Sequence, residues 1–151
     1  MSISAIYSAI SAMTVAVNGA TATVYGLTNM PDAMETAHLP VRLIVSVGGN
    51  TQGTSTKSVT LGSAPRLHST WQVQDLMLYK PPTQGTGLDE MNAVLMGYCD
   101  DYLSAIRTHV QLTSTALITD VRLEPGMYQH PPGSERQYFG VMGMLTIEEI
   151  H

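Results

Sequence analysis

The segment that decides the fold runs from residue 68 to residue 109 and reads HSTWQVQDLMLYKPPTQGTGLDEMNAVLMGYCDDYLSAIRTH. Its first part is rich in residues that favour β-strands, and it ends at Pro81 and Pro82, which cannot continue a hydrogen-bonded ladder. Its second part carries the spacing of an amphipathic helix. The segment therefore predicts a strand, a proline stop and a long helix.

The apolar residues of the predicted strand change face along its length. Trp71 and Val73 fall on one face, whereas Leu76 and Leu78 fall on the other. One extra residue in a strand shifts the alternation by one position, so we expect a β-bulge near Asp75.

The predicted helix has clear signals at both ends. Thr86 with Asp89 three residues later fits a capping box, and Asp89 and Glu90 place negative charge at the N-terminus of the helix. Arg107 and His109 suit the C-terminus. One apolar stripe is expected to face a sheet, with Asp100, Ser104 and Arg107 opposite it; its members are Leu88, Met91, Leu95, Tyr98, Tyr102 and Ile106.

Residues 1–20, at the other end of the chain, also have helical periodicity. No Lys or Arg precedes Arg42, so the charged start of a secretion signal is missing and we reject that interpretation. The polar strip, made by serines 4, 8 and 11, is narrow. The helix could pack only in the core of its own domain, or a neighbouring subunit could cover it on a second side, and both interpretations stay open. The expected apolar face consists of Ile3, Ile6, Tyr7, Ile10, Met13 and Val17.

Strand patterns occupy much of the remaining chain. Residues 21–25 are strand-like, and Pro40 precedes the run VRLIVSV, in which the valines and Leu43 alternate with Arg42, Ile44 and Ser46. Two further strands are expected at residues 116–123 and 139–147, joined by a long excursion that is rich in proline. The order of helix, strands, helix and paired strands predicts one α+β domain over residues 1–151, with an antiparallel or mixed sheet packed against the N-terminal helix and the long central helix.

Composition limits the possible functions. The 151 residues include seven Lys+Arg and 12 Asp+Glu, so the net charge of -5 disfavours binding to nucleic acid phosphates. The single cysteine, Cys99, excludes an intramolecular disulfide and is expected to be a small buried hydrophobe. Residues 48–57, GGNTQGTSTK, contain no large apolar side chain and are expected to form an exposed, mobile loop.

Motifs for chemistry are weak. The G-x-x-x-x-G spacing from Gly48 to Gly53 lacks the lysine of a phosphate-binding loop, because Thr54 follows it. Glu148 and Glu149 are expected to form a solvated end of the chain. The five histidines show no pair at metal-ligand spacing; they are His38, His68, His109, His130 and His151. We therefore predict no catalytic, cofactor-binding or metal-binding residue, and no enzyme activity.

The order of elements resembles that of the phage lambda tail terminator family. The resemblance rests on the N-terminal helix, the strand LPVRLIV, the strand STWQVQDLMLYKPP and the helix start LDEMNAVL, followed by ALITDVRL and a last apolar strand that ends in TIEE. It covers nearly the whole chain in order and spacing, although each motif is common on its own.

The resemblance implies a structural virion protein of the tail and neck, assembled in the host cytoplasm as a hexameric ring. Such a ring caps the tail tube, ends its polymerisation and joins the tail to the head. The implied partners are other copies of the chain, the major tail tube protein and the head-completion protein, with genomic DNA passing through the lumen without specific binding and no membrane involved. We expect the two polar loops to make contacts through Gly49, Thr51, Gln52, Thr54, Lys57, Tyr128, Gln129 and Arg136.

Two other classes of function stay open. One is another neck or tail-completion protein with a similar ring-forming domain. The other is a small-ligand-binding or enzymatic domain, which the absence of a convergent polar cluster in the sequence disfavours.

Overall fold

A computed structural model describes residues 3–25, 35–44, 56–61, 67–82, 87–130 and 134–150. The elements are, in chain order, helix α1 (Ile3–Ala12), strands β1 (Ala16–Val17), β2 (Ala20–Thr21) and β3 (Thr23–Tyr25), a 3-10 turn (Thr36–His38), strands β4 (Val41–Leu43), β5 (Thr56–Leu61) and β6 (Leu67–Lys80), helix α2 (Leu88–Thr108), and strands β7 (Ala116–Gln129) and β8 (Gln137–Ile150).

One mixed sheet organises the domain. Its main path runs β3-β4-β6-β8-β7, and β5 pairs with β6 beside that path. The β3–β4 pair is parallel, whereas every other pair in this sheet is antiparallel. Strands β4 and β5 follow each other along one side of β6, with Leu43 opposite Leu76 and Thr56 opposite Gln72. The predicted α+β class is confirmed.

Helix α2 covers one face of the sheet with the apolar stripe that its sequence predicts. Met91, Leu95, Tyr98, Tyr102 and Ile106 are all buried, and the last four pack in the main core. The side chain of Leu88, the first residue of the predicted stripe, lies outside the described part of the structure. Helix α1 contributes to the same core. The buried members of this core from other elements include Ile6, Tyr7, Ile10, Trp71, Val73, Met77, Val141, Leu145 and Ile147.

A second apolar cluster lies outside this core and explains the change of phase in β6. Leu76 and Leu78 are buried there with Val41, Leu43 and two hydrophobic residues of β8, Tyr138 and Met142. The expected bulge near Asp75 is wrong, because β6 pairs with β8 in unbroken register from His68 to Leu78 and shifts only between Leu78 and Lys80. From Asp75 to Leu78 both faces of the strand are buried, so apolar residues occur on each of them there.

Three other boundaries differ from the sequence-based expectation. Helix α1 ends at Ala12, because a tight turn with positive φ at Asn18 and Gly19 joins β1 to β2 within the segment expected to be helical. The N-cap of α2 is Gly87 and makes no side-chain capping bond, so a capping box with Thr86 at the N-cap is wrong. Strand β7 extends to Gln129, into the segment expected to be an excursion.

Candidate functional site

A charged cluster at the centre of the domain is the most polar part of the core. The Arg42 and Asp75 side chains are fully buried and form a salt bridge. The Tyr102 hydroxyl donates a hydrogen bond to Asp75 Oδ2 at 2.9 Å. Arg42 Nη1 also donates to the main-chain oxygen of Met13 at 2.5 Å, just beyond the end of α1. The cluster thus ties α1, β4, β6 and α2 together.

The electrostatics of this cluster fit a structural role. Burial on its own lowers the pKa of Arg42, but the adjacent Asp75 carboxylate outweighs it, so the pKa is raised and the guanidinium stays charged. Burial and then the Asp75 charge raise the pKa values of Tyr98 and Tyr102 well above 10.0. These tyrosines stay neutral at physiological pH. The sequence pattern had put Arg42 on the less apolar side of its strand, and so missed its burial.

A second buried carboxylate lies near the end of β8. Glu149 is 0% exposed, and its Oε2 accepts a hydrogen bond from Trp71 Nε1 at 3.1 Å. The expectation of a solvated end is therefore wrong for Glu149, whereas Glu148 is exposed. Glu149 alternates with Leu145 and Ile147 on the inward face of β8, because side chains of a strand repeat every second residue.

The residues often used in catalysis lie in separate places. Cys99 is buried, and burial raises its pKa, which favours the unreactive thiol. His130 is buried at the end of the β7–β8 hairpin, and burial lowers its pKa below 6.5. Among the described residues, no group of three or more His, Cys, Asp or Glu could hold a metal ion.

The predicted contact residues Tyr128, Gln129 and Arg136 come together at one end of the β7–β8 hairpin. Tyr128 pairs with Tyr138, and Gln129 pairs with Gln137. The main-chain oxygen of Arg136 accepts a hydrogen bond from the His130 amide at 3.3 Å. Tyr128 is half-buried and its hydroxyl bonds the main-chain oxygen of Glu124, so it stiffens the hairpin.

A cleft of about 560 Å³ opens beside this end of the hairpin. Arg136 and Glu35 are the charged residues among those that line it. The other described residues that line the cleft are Thr36, Pro81, Pro82, Gln137 and Tyr138. The mixture of prolines, an aromatic ring and one charge of each sign suits contact with a polypeptide better than a convergent reaction centre.

The predicted contact residue Lys57 lies elsewhere. It belongs to β5, where it pairs with Trp71, so the expected loop is strand from Thr56 onward. Trp71 is nine residues from Lys80 along β6, which at 3.3 Å per residue places Lys57 roughly 30 Å from the cleft. The predicted contact residues Gly49, Thr51, Gln52 and Thr54 lie outside the described residues.

Strand β7 is a long edge of the sheet. Within the described part of the chain it pairs along its length only with β8, apart from one isolated bridge between Gln111 and Leu117. Val121 and Leu123 are only half-buried, and Met127 is 43% exposed. An edge strand presents unpaired main-chain groups to any strand that can approach it, so this edge is a candidate interaction site.

No protein-family model matches the chain, and no curated protein matches it. No helix in the described ranges is both long and apolar enough to span a membrane.

Proposed function

We propose that this chain is a structural protein of a long-tailed bacteriophage that assembles into a ring and ends the growth of the tail tube. The ring, a hexamer by the resemblance stated above, seats on the finished tube and offers its other face to the head-completion protein.

The order and spacing of the elements are the observation that carries this proposal. The resemblance to that family rests on the order of helix α1, the strand after Pro40, the strand that ends before Pro81, the long helix α2 and two C-terminal strands, and the structure contains these elements in this order. The proposal draws on fold-level resemblance, so its support is the architecture of the whole chain and not a residue motif.

The use of polar residues in the structure is compatible with an assembly role. Arg42, Asp75 and Glu149 are buried in contacts between secondary-structure elements. The exposed features are a long strand edge and a cleft with charges of both signs. An acidic chain also suits a ring through which DNA moves, because a strongly basic lumen would retain the phosphate backbone.

Removing the gene from the phage that encodes it tests the proposal. Without the terminator, tail tubes should grow beyond their normal length and remain unattached to heads, as seen by electron microscopy. Tails of normal length that fail to join heads would contradict a terminator and favour another neck protein. Normal infectious particles would contradict a structural role altogether.

The polar segment of residues 48–55 offers a finer test. We propose that it contacts a neighbouring virion protein, because its hydroxyl and amide groups suit hydrogen bonding to a partner. Replacing it with a short turn that contains glycine should leave the melting temperature unchanged and give uncapped tails. The matched control is Ser104→Ala on the exposed side of α2. Full infectivity of the shortened variant would show that the segment is dispensable.

A further inference from the structure

We propose that the free edge of β7 pairs with the free edge of β5 in the next copy of this chain, so that the sheet continues from subunit to subunit. The inference rests on the ring proposed above and assigns its contact surface. Strands β7 and β5 lie on opposite sides of the sheet, and in the described residues neither has a strand partner on its outer side.

Two opposite free edges fit the contact that a closed ring needs. A ring requires a heterologous contact, in which one surface of a subunit binds a different surface of the next. Strands β5 and β6, β6 and β8, and β8 and β7 are each antiparallel, so β5 runs opposite to β7. Rotation about the axis of a ring preserves strand direction along that axis. The β7–β5 contact between subunits is therefore antiparallel, like its neighbours in the sheet.

The edge of β7 is open over a short window between two features that block strand pairing. The register of β7 shifts between Ile118 and Asp120, and Pro125 follows Glu124. Bulges and prolines are devices that prevent uncontrolled pairing at sheet edges. In β7 the bulge and the proline leave four residues, 121–124, open to pairing, and this limits where an added strand can bind.

The orientation of the main chain in this window suits pairing. Proline has no N–H group, so in an edge strand its nitrogen faces away from the neighbouring strand, here β8. Val121 and Leu123 lie four and two residues before Pro125, so their main-chain groups also face the free edge. Both side chains are half-buried, so an added strand would cover apolar surface as well as satisfy main-chain groups.

The sequence of β5 matches this window in one register. With Leu123 opposite Val59 of the next copy, Val121 is opposite Leu61, which pairs apolar residues with apolar residues. The same register sets Arg122 opposite Thr60 and Glu124 opposite Ser58. Shifting β5 by one residue would pair charged residues with apolar ones, so the alternation selects the register.

Cysteine cross-linking tests the contact in the full chain with Cys99→Ala as background. The pair Val59→Cys with Leu123→Cys should form disulfides between subunits, because opposite residues of antiparallel strands have Cα atoms about 4.5–5.5 Å apart. Within one chain the two strands are three strand spacings apart, about 14 Å, which excludes an internal bond. A non-reducing gel should show a ladder of multimers.

Matched controls separate the possible outcomes. Thr60→Cys with Arg122→Cys is in the same register and should also cross-link, whereas Val59→Cys with Arg122→Cys is out of register and should not. A mixture of the two single variants, Val59→Cys and Leu123→Cys, should stop at a dimer. Absence of cross-links in both in-register pairs, or efficient cross-linking of Leu123→Cys with itself, would overturn the inference. If cross-links form but removal of the gene leaves tails normal, the contact stands and the terminator function fails.

Discussion

Replacing Arg42 with methionine should destabilise the fold more than most single substitutions. The change leaves the Asp75 carboxylate buried with Tyr102 as its remaining side-chain donor among the described residues, and it removes the donor to the Met13 carbonyl. Breaking a buried ion pair by removing one partner costs about 3–5 kcal/mol. The stability of a whole domain is about 5–15 kcal/mol, so Arg42→Met should lose a large fraction of it.

A double-mutant cycle isolates the ion pair from the packing of the two side chains. Asp75→Leu alone leaves the Arg42 charge buried without its partner, so it should lower the free energy of unfolding by about as much as Arg42→Met does. The double variant removes both charges. Its loss in the free energy of unfolding should be smaller than the sum of the two single losses by at least about 2 kcal/mol.

Urea unfolding followed by fluorescence measures these changes, because Trp71 is the only tryptophan and is buried. Circular dichroism at each urea concentration checks that the helices are lost in the same transition. A loss below about 1 kcal/mol for Arg42→Met, or losses that simply add in the double variant, would refute the role given to this cluster.

Three further predictions follow from burial and close packing. Leu95→Ala should lower the free energy of unfolding by about 2–5 kcal/mol, because Leu95 is buried against the sheet. Ser104→Ala, on the exposed side of α2, should change it by less than about 0.5 kcal/mol. Equal effects of the two substitutions in urea titrations would contradict the placement of α2. Gly140→Ala should lower the melting temperature strongly, because a Cβ atom at this position would overlap the Met77 carbonyl oxygen. Gly97→Ala in α2 is the control: a Cβ atom there meets open space, so the change should stabilise the helix by about 0.5–1 kcal/mol. Burial lowers the pKa of His130 below 6.5, so the unfolded chain binds a proton at this residue more readily than the folded chain does, and the stability of the fold should decrease as the pH drops below 6.5. His130→Gln should reduce this loss of stability at low pH. An unchanged pH profile in thermal unfolding would show that His130 does not contribute to the loss.

The parts of the fold that sequence predicts well are those with one buried face. Helix α2 has a single apolar stripe, and its core residues from Met91 to Ile106 are buried as its periodicity indicates. Strand β6 is harder to interpret, because both of its faces are buried from Asp75 to Leu78 and alternation alone cannot distinguish such burial from a bulge. Pro125 suggested a loop, yet an edge strand tolerates proline and β7 runs through it.

The buried charges mark the limit of pattern-based inference. The alternation in its strand sets Arg42 on the less apolar face, and the sequence pattern does not show that a carboxylate 33 residues later lies beside it. Glu149 did have a usable signal. It continues the alternation of Val141, Leu145 and Ile147, so extending that pattern by one step would have placed it inside. The contact surface of a ring depends on where strand edges lie, which follows from sheet order and not from local sequence.

The mass of the assembled particle is the most direct test of the central claim that this chain forms a ring. Mass photometry of the purified full chain, alone and bound to tail tubes, together with negative-stain microscopy, measures the number of subunits and the shape. We predict one discrete closed oligomer with a central opening, a hexamer by the resemblance. A chain that remains monomeric both alone and in assembled particles would contradict the account.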